Sequence, residues 1–284
     1  MGTALACSSG TSEEMTGVTL GSATLSAGSG ASMSAGDGDG DDETSGESGS
    51  ETGGGPLLDM GAGSGTDATT DENPIECEPV LDAKIRDFQQ AHPDFQAFSA
   101  DVATPGLVEP MLGPDRKPVF SGLVVNPPQM TTEDNFNQWY NDVEGVNLPF
   151  DIELQLVEEG DILVFDDQTF FPIDGMGWGD EGLTDGMGNP HNFLFTTEIN
   201  LEFLYEPGQT FTFIGDDDLW MFVDGQLAID LGGLHPAQSA TANMDDFGLS
   251  AGQTYTMDIF HAERRSEDST FRIETSIACF TPIE

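Results

Sequence analysis

The sequence predicts an all-β fold: an antiparallel β-sandwich preceded by a disordered, acidic, Gly/Ser-rich tether. Three observations carry this reading. From residue 77 onward, apolar residues recur in strand-sized blocks, either with period two or as short continuous runs. Gly, Pro, Asn and Asp punctuate those blocks, and the 284-residue chain holds 35 Gly and 19 Phe, the composition of aromatic strands joined by many turns. The first 76 residues have neither pattern.

The elements follow in order. Between Ser8 and Asn73 there is no Lys, Arg or aromatic residue. Such a segment buries too little apolar surface to offset an ordering entropy of roughly 1–2 kcal/mol per residue, so residues 1–76 read as a flexible, self-repelling tether. Asp37-Gly-Asp39-Gly-Asp41 inside it fails as a calcium loop, because the sixth and twelfth positions hold Asp42 and Ser48 rather than Gly and Glu. Residues 77–284 form the folded domain. Leu81 to Phe88 opens with alternation and is expected to pass into a short helix ending at His92-Pro93. Thr132 to Val143 predicts an amphipathic helix, with Phe136, Trp139, Tyr140 and Val143 on one face. Phe150 to Leu156 alternates cleanly. Asp161–Phe165, Phe193–Tyr205, Thr210–Ile214, Leu219–Val223, Gln226–Ile229, Thr254–Phe260 and Ser269–Thr275 supply further strands. Asp224-Gly225 between two of them favours a tight primed hairpin turn.

Seven Lys+Arg against 52 Asp+Glu give a formal net charge of -45. That excludes nucleic acid as a partner, because the chain cannot release counterions from phosphate. It also excludes electrostatic docking on anionic lipid, and it favours cations such as Ca²⁺. No apolar run reaches the roughly 18 residues of a membrane span. Ala4-Leu5-Ala6-Cys7 resembles a bacterial lipobox, which makes Cys7 a lipid-anchor candidate and the localisation extracellular or cell-surface. The six residues ahead of it are too few for the full signal. Cys77 and Cys279 bracket the folded domain and are expected to form one disulfide after export. Closing a loop of about 200 residues restrains the unfolded chain by several kcal/mol in the entropy model.

Enzyme templates fail. There is no Gly-x-Ser-x-Gly elbow, no His-Glu-x-x-His and no phosphate loop. Gly177-Trp-Gly179-Asp-Glu-Gly182 fits a dinucleotide pattern, but Asp180 and Glu181 repel a pyrophosphate and no strand–turn–helix frames it. The chain is therefore expected to be non-enzymatic. Asp216-Asp217-Asp218, set between two apolar strands, is the informative cluster. Adjacent carboxylates repel unless solvent, hydrogen-bond donors or a cation absorb the charge, so an exposed turn and a Ca²⁺ site both stand as readings.

A set of motifs spanning Cys77 to Thr281 resembles the fibro-slime domain. These are Ile85-Arg-Asp-Phe88 with His92-Pro-Asp-Phe95, Phe136-Asn-Gln-Trp139-Tyr140, Phe170-Phe-Pro-Ile-Asp174-Gly175, the run from Gly215 to His235, and Ala262-Glu-Arg264 with Ser269-Thr-Phe-Arg272. That domain is related to the protective-antigen-type, flocculin-like, jelly-roll-like sugar-binding sandwich. The resemblance implies that Asp216 and Asp217, joined by a cis peptide, hold a Ca²⁺ that meets sugar hydroxyls, with Glu267 and Asp268 completing the site from a second loop. Asp218 stands where a smaller residue is common, and the second loop has no clear Asn. The implied function is calcium-dependent adhesion or carbohydrate binding in an extracellular matrix, with a glycan as partner. The alternatives are a structural slime component whose Ca²⁺ only stabilises the fold and, further off, a polysaccharide-active enzyme. Limited proteolysis tests the domain division: it should remove Ser8–Asn73 and leave a resistant core beginning near residue 74, and a resistant N-terminal segment refutes it.

Overall fold

The computed structural model describes Cys77, residues 79–96, Phe98 and residues 101–283. The predicted tether and Cys7 lie outside the described residues. One sheet is built from β1 (Val80–Phe88), β2 (Asn147–Gln155), β5 (Phe195–Leu204), β7 (Asp218–Val223), β8 (Gln226–Leu231) and β10 (Thr254–Glu263). Its order is β2-β1-β5-β10-β7-β8, and β12 (Phe280–Pro282) pairs with β5 beyond the end of the β1 ladder. The other sheet comprises β3 (Val157–Glu159), β4 (Ile162–Asp167), β6 (Thr210–Gly215), β9 (Gln238–Asn243) and β11 (Phe271–Thr275), in the order β3-β4-β11-β6-β9. The ladders are antiparallel, so the sandwich expectation holds.

Period-two alternation explains the inner core. Ile199, Leu201 and Phe203 of β5, Met257 and Ile259 of β10, and Leu219, Met221 and Val223 of β7 pack with Phe211, Phe213, Phe271 and Ile273 of the second sheet. Each such side chain contributes about 1.5–3 kcal/mol on burial. The hairpin between β7 and β8 turns at Asp224 (φ 49°) and Gly225 (φ 74°), the two left-handed residues of a primed turn.

The first sheet is buried on both faces at β7, which is why that strand is apolar without alternation. Its outer face meets a second core in which Phe88, Phe95, Phe136, Trp139, Tyr140, Trp220, Phe222 and Phe260 come together. This layer corrects two expectations. Residues 81–88 remain a strand to Phe88, and the region to Phe95 turns back through single hydrogen bonds rather than a helix. The helix expected over Thr132–Val143 shrinks to α1 (Glu133–Phe136), capped by Thr132. Asn side chains compete for its backbone: Asn147 accepts from Val143 N and donates to the carbonyls of Gln138 and Asn141, and Asn141 donates to Asn137 O.

Gly177–Gly182 is a turn-rich loop, which agrees with its rejection as a dinucleotide site. Asp87 holds this loop by accepting from Trp178 N and Asn192 Nδ2, and a Cβ at Gly177 would lie 1.9 Å from the Asp87 carboxylate. Cys77 and Cys279 are bridged, with Cα atoms 5.0 Å apart, inside the usual span of about 4.4–6.8 Å.

Ion pairs clamp the outer layer to the sheet. Lys117 and Arg86 both bind the buried Glu198, and Arg116 binds Asp258 at 2.5 Å. The second carboxylate oxygen of Asp258 has no hydrogen-bond partner, and burial lifts its pKa to about 6 in spite of Arg116. A carboxyl raised in the folded state binds its proton more tightly there than in the unfolded chain. Ionised Asp258 therefore costs stability as pH rises from about 4 through 6. Asp258→Asn should match wild type at pH 4 and exceed it by an amount on the order of 2–3 kcal/mol at pH 7, read by urea denaturation at both pH values. Equal stability at pH 7 refutes the assignment.

Candidate functional site

Two links pass between the sheets at one end of the sandwich. The first is Asp216-Asp217, between the end of β6 and the start of β7. The second is residues 264–270, between β10 and β11. Gly215 permits the first link, because a Cβ there would meet the Phe213 ring at 2.5 Å and Thr270 O at 2.6 Å. The links are zipped together by carboxylates: Asp216 Oδ1 accepts from Thr270 N at 2.6 Å, and Asp217 Oδ2 accepts from Arg264 N at 2.8 Å. Asp217 N in turn donates to His235 O.

The implied cis peptide between the aspartates is not present. Among the described residues the cis bond is Asn126–Pro127, and Asp217 instead takes a left-handed φ of 54°. That conformation lets its N–H and its carboxylate reach opposite partners, His235 O and Arg264 N.

Asp216, Asp217 and Asp218 are buried, which excludes the exposed-turn reading. Burial raises the pKa of Asp216 to about 6, helped by the charges of Asp217 and Asp268. Burial also raises Asp217, against the opposing pull of Arg264. Of the residues expected in the second loop, Asp268 acts electrostatically on Asp216, while Glu267 lies exposed beside it. The residue that shares the buried space with Asp217 is Glu263, at the end of β10. It is 1% exposed, its Oε2 has no partner, and burial followed by the charges of Asp217 and Asp216 pushes its pKa well up. His261, two residues earlier, is caged by Phe170, Phe195, Phe213 and Phe271. Burial lowers its pKa to about 3, so it stays neutral.

Asp218 belongs to a different structure. Its Oδ2 accepts from Arg264 Nε at 2.6 Å and its Oδ1 from Gly233 N at 2.5 Å, with both side chains fully buried. Arg264 Nη1 donates to Asp94 O and Gln129 O, and the guanidinium lies 4.6 Å from the Trp139 ring centre.

Among the described residues, no group of three or more His, Cys, Asp or Glu is placed to hold a metal ion as it stands. The donor set is nonetheless one of hard oxygens, and the orphaned buried Glu263 oxygen beside two aspartates fits a cation such as Ca²⁺.

Comparison with known proteins agrees with this frame. The family whose pattern matches is the PA14 domain, over the segment from β6 to β12. Residues 206–281 are similar to the PA14 domain. The chain is 38% identical over 216 residues to protein psiR of Dictyostelium discoideum, covering 72% of this chain and 22% of psiR. It is 38% identical over 211 residues to psiD of the same organism, covering 70% of this chain and 41% of psiD. It thus spans less than half the length of these relatives. Among solved structures, a PA14 sugar-binding domain from an RTX adhesin overlays 44% of this chain on 77% of its own, with 14% identity and a TM-score of 0.26. The expected fibro-slime and protective-antigen-type kinship is borne out.

Within the segment that matches the PA14 domain, the buried Asp218–Arg264 pair sets a sharp energetic test. Removing one partner leaves an uncompensated buried charge, which costs about 3–5 kcal/mol. Arg264→Met should lose that much by chemical denaturation, and adding Asp218→Asn to it should restore part of the loss. If the double variant is no more stable than Arg264→Met, the pair is not the source of the cost.

Proposed function

We propose that the folded domain is a non-enzymatic, calcium-dependent adhesion module that binds glycan at the crossover of Asp216 and Asp217, outside the cell or at its surface. The observation that carries this reading is the buried triad of Asp216, Asp217 and Glu263. Burial is the main cause of their raised pKa values and neighbouring carboxylate charge adds to it, a cost that a hard cation would relieve. Each aspartate gives one oxygen to a backbone N–H of the facing link, so a Ca²⁺ there would take their remaining oxygens together with the Glu263 carboxylate. Asp268, and Glu267 after a movement of the exposed loop, would supply the outer ligands. Sugar hydroxyls would replace water on the solvent side. The PA14 domain is a carbohydrate-binding and adhesion fold, which supports the same assignment.

Binding fits better than hydrolysis. Glycosidase carboxyls flank an open cleft, whereas Asp216, Asp217 and Glu263 are packed within the crossover. The disulfide supports an oxidising, extracellular setting. No helix among the described residues is long and apolar enough to cross a membrane. The Ala4-Leu5-Ala6-Cys7 sequence supports a lipid anchor at Cys7 followed by the acidic spacer.

A second reading, a structural matrix component, is favoured by one observation. The two aspartates already zip the links through Thr270 N and Arg264 N, a role that needs no glycan.

Thermal melting with and without Ca²⁺ tests the site. A ligand at 100 times its Kd stabilises by about 2.7 kcal/mol, so wild type should show a clear rise in Tm. Asp217→Asn and Glu263→Gln should lose the rise, while Asp224→Asn, in the hairpin turn, should keep it. A full calcium response in Asp217→Asn defeats the metal assignment. A glycan array run with and without chelator separates the adhesion reading from the structural one.

A further inference from the structure

A short hairpin lies over the outer face of the first sheet. Its arms, on either side of residues 113–117, are joined by Glu109 N to Val119 O and by Gly113 N to Lys117 O. Its first arm is stitched to the β7–β8 hairpin, through Leu112 N to Gly225 O and Leu227 N to Pro110 O. The tip carries two cations, and each reaches down to a buried carboxylate. Lys117 binds Glu198 of β5, which Arg86 and Asn200 also hold, so that carboxylate is fully matched. Arg116, at a left-handed φ of 60°, binds Asp258 of β10 at 2.5 Å, and its side chain is 39% exposed. Asp258 is the poorer anchor, because it is fully buried and its Oδ2 has no partner. Toward α1 the tip borders a cavity of about 360 Å³, with Pro114 and Asp115 on one wall and Glu133 and Phe136 on the other, so it has room to move on that side.

The two anchors respond differently to protons. Against the cost of burial, Lys117 and Arg86 hold the Glu198 carboxyl below its ordinary value, so its pair with Lys117 persists throughout the range above pH 5. A buried carboxylate with one oxygen unmatched is costly, and a single pair to a partly exposed guanidinium does not offset that cost. Burial accordingly lifts Asp258 to about 6, against the pull of Arg116. The other charged groups that act on it are Glu198, which lifts it further, and Lys117, which lowers it. The residues opposite it on the neighbouring strands, Asn200 of β5 and Phe222 of β7, carry no charge. Lifting Arg116 away lets water reach Asp258 and returns its carboxyl toward the ordinary value of about 3.9. The shut tip therefore binds the Asp258 proton more tightly than the open tip does. Opening is suppressed while Asp258 is protonated, and it grows as pH rises from about 4 through 6.

We propose that Arg116 and Asp258 form a pH-dependent latch on this hairpin: the Arg116 end of the tip is shut over the sheet in mild acid and opens more often toward neutral pH, while Lys117 on Glu198 stays in place as the hinge. The inference is separate from the metal and glycan readings of the crossover. Hydrogen exchange of the full chain, followed by NMR at pH 5 and pH 7 and corrected for intrinsic exchange, tests it at the tip amides of Gly113 and Arg116. Their opening constant should rise about tenfold between the two pH values, as a carboxyl near 6 when shut and near 4 when open requires. The opening should be insensitive to sub-denaturing urea, because it is local rather than global. Asp258→Asn cannot ionise and should keep the pH 5 opening constant at both pH values. Asp142→Asn, which removes a carboxylate on the far side of Arg86, should retain the tenfold rise. The latch is refuted if the wild-type opening constant is equal at pH 5 and pH 7, if Asp258→Asn shows the same rise as wild type, or if the tip amides exchange only through the urea-sensitive unfolding of the whole domain.

Discussion

The ion pair between Asp218 and Arg264 is the constraint on which the rest of the structure depends. Taking two charges out of water costs several kcal/mol per ion, and only dense hydrogen bonding offsets that. The guanidinium meets most of the requirement by reaching four separate parts of the chain, Asp218 at the start of β7, the carbonyls of Asp94 and Gln129, and the face of Trp139, while its Nη2 is buried without a hydrogen-bond partner. Asp94 then accepts from Trp139 Nε1 and from the backbone and hydroxyl of Thr131. One side of the irregular outer layer is thus held by this buried cation, with Arg86, Arg116 and Lys117 clamping the rest, and the aromatic core packs beneath it.

The same pair explains why the crossover is so acidic. Arg264 is spent on Asp218, yet Asp216, Asp217 and Glu263 lie beside it with only partial compensation. Two links leaving one sheet for the other carry backbone N–H groups that no ladder can satisfy. Aspartates at those positions supply acceptors to Thr270 N and Arg264 N, so they have a structural task before any ligand arrives. Glu263 has no such task for its Oε2. Its burial beside Asp217 is the feature that the zipping of the links does not use.

What could be read from the sequence follows the range of the forces involved. Strands such as β2, and the β7–β8 hairpin with its Asp-Gly turn, depend on period-two patterning and local backbone preference, and both were legible. The Asp216-Asp217 pair was legible through resemblance, although its backbone proved trans with a left-handed Asp217. The outer layer was not, because Phe136, Trp139 and Tyr140 have helical spacing while the amide of Asn147, several residues onward, takes the carbonyls a helix would use. Glu263 was missed for a related reason. Its burial comes from its pairing with Phe195 at the end of a long ladder and from the second link closing over it. The residues on either side of Glu263 carry no mark of that non-local register.

Charge placement narrows the range of partners further. The chain has seven Lys and Arg in all, and each is engaged within the fold. Lys84, Arg86, Arg116, Lys117, Arg264 and Arg272 pair with carboxylates, and Arg265 donates to the Phe98 carbonyl. The cations thus serve to clamp the outer layer and the crossover rather than to present positive charge outward. The surface field is consequently anionic, and it concentrates divalent cations while repelling polyanions. A glycan partner of such a surface has to be neutral, or else be bridged through a metal ion, because an acidic polysaccharide would meet repulsion with no uncommitted Lys or Arg to receive it.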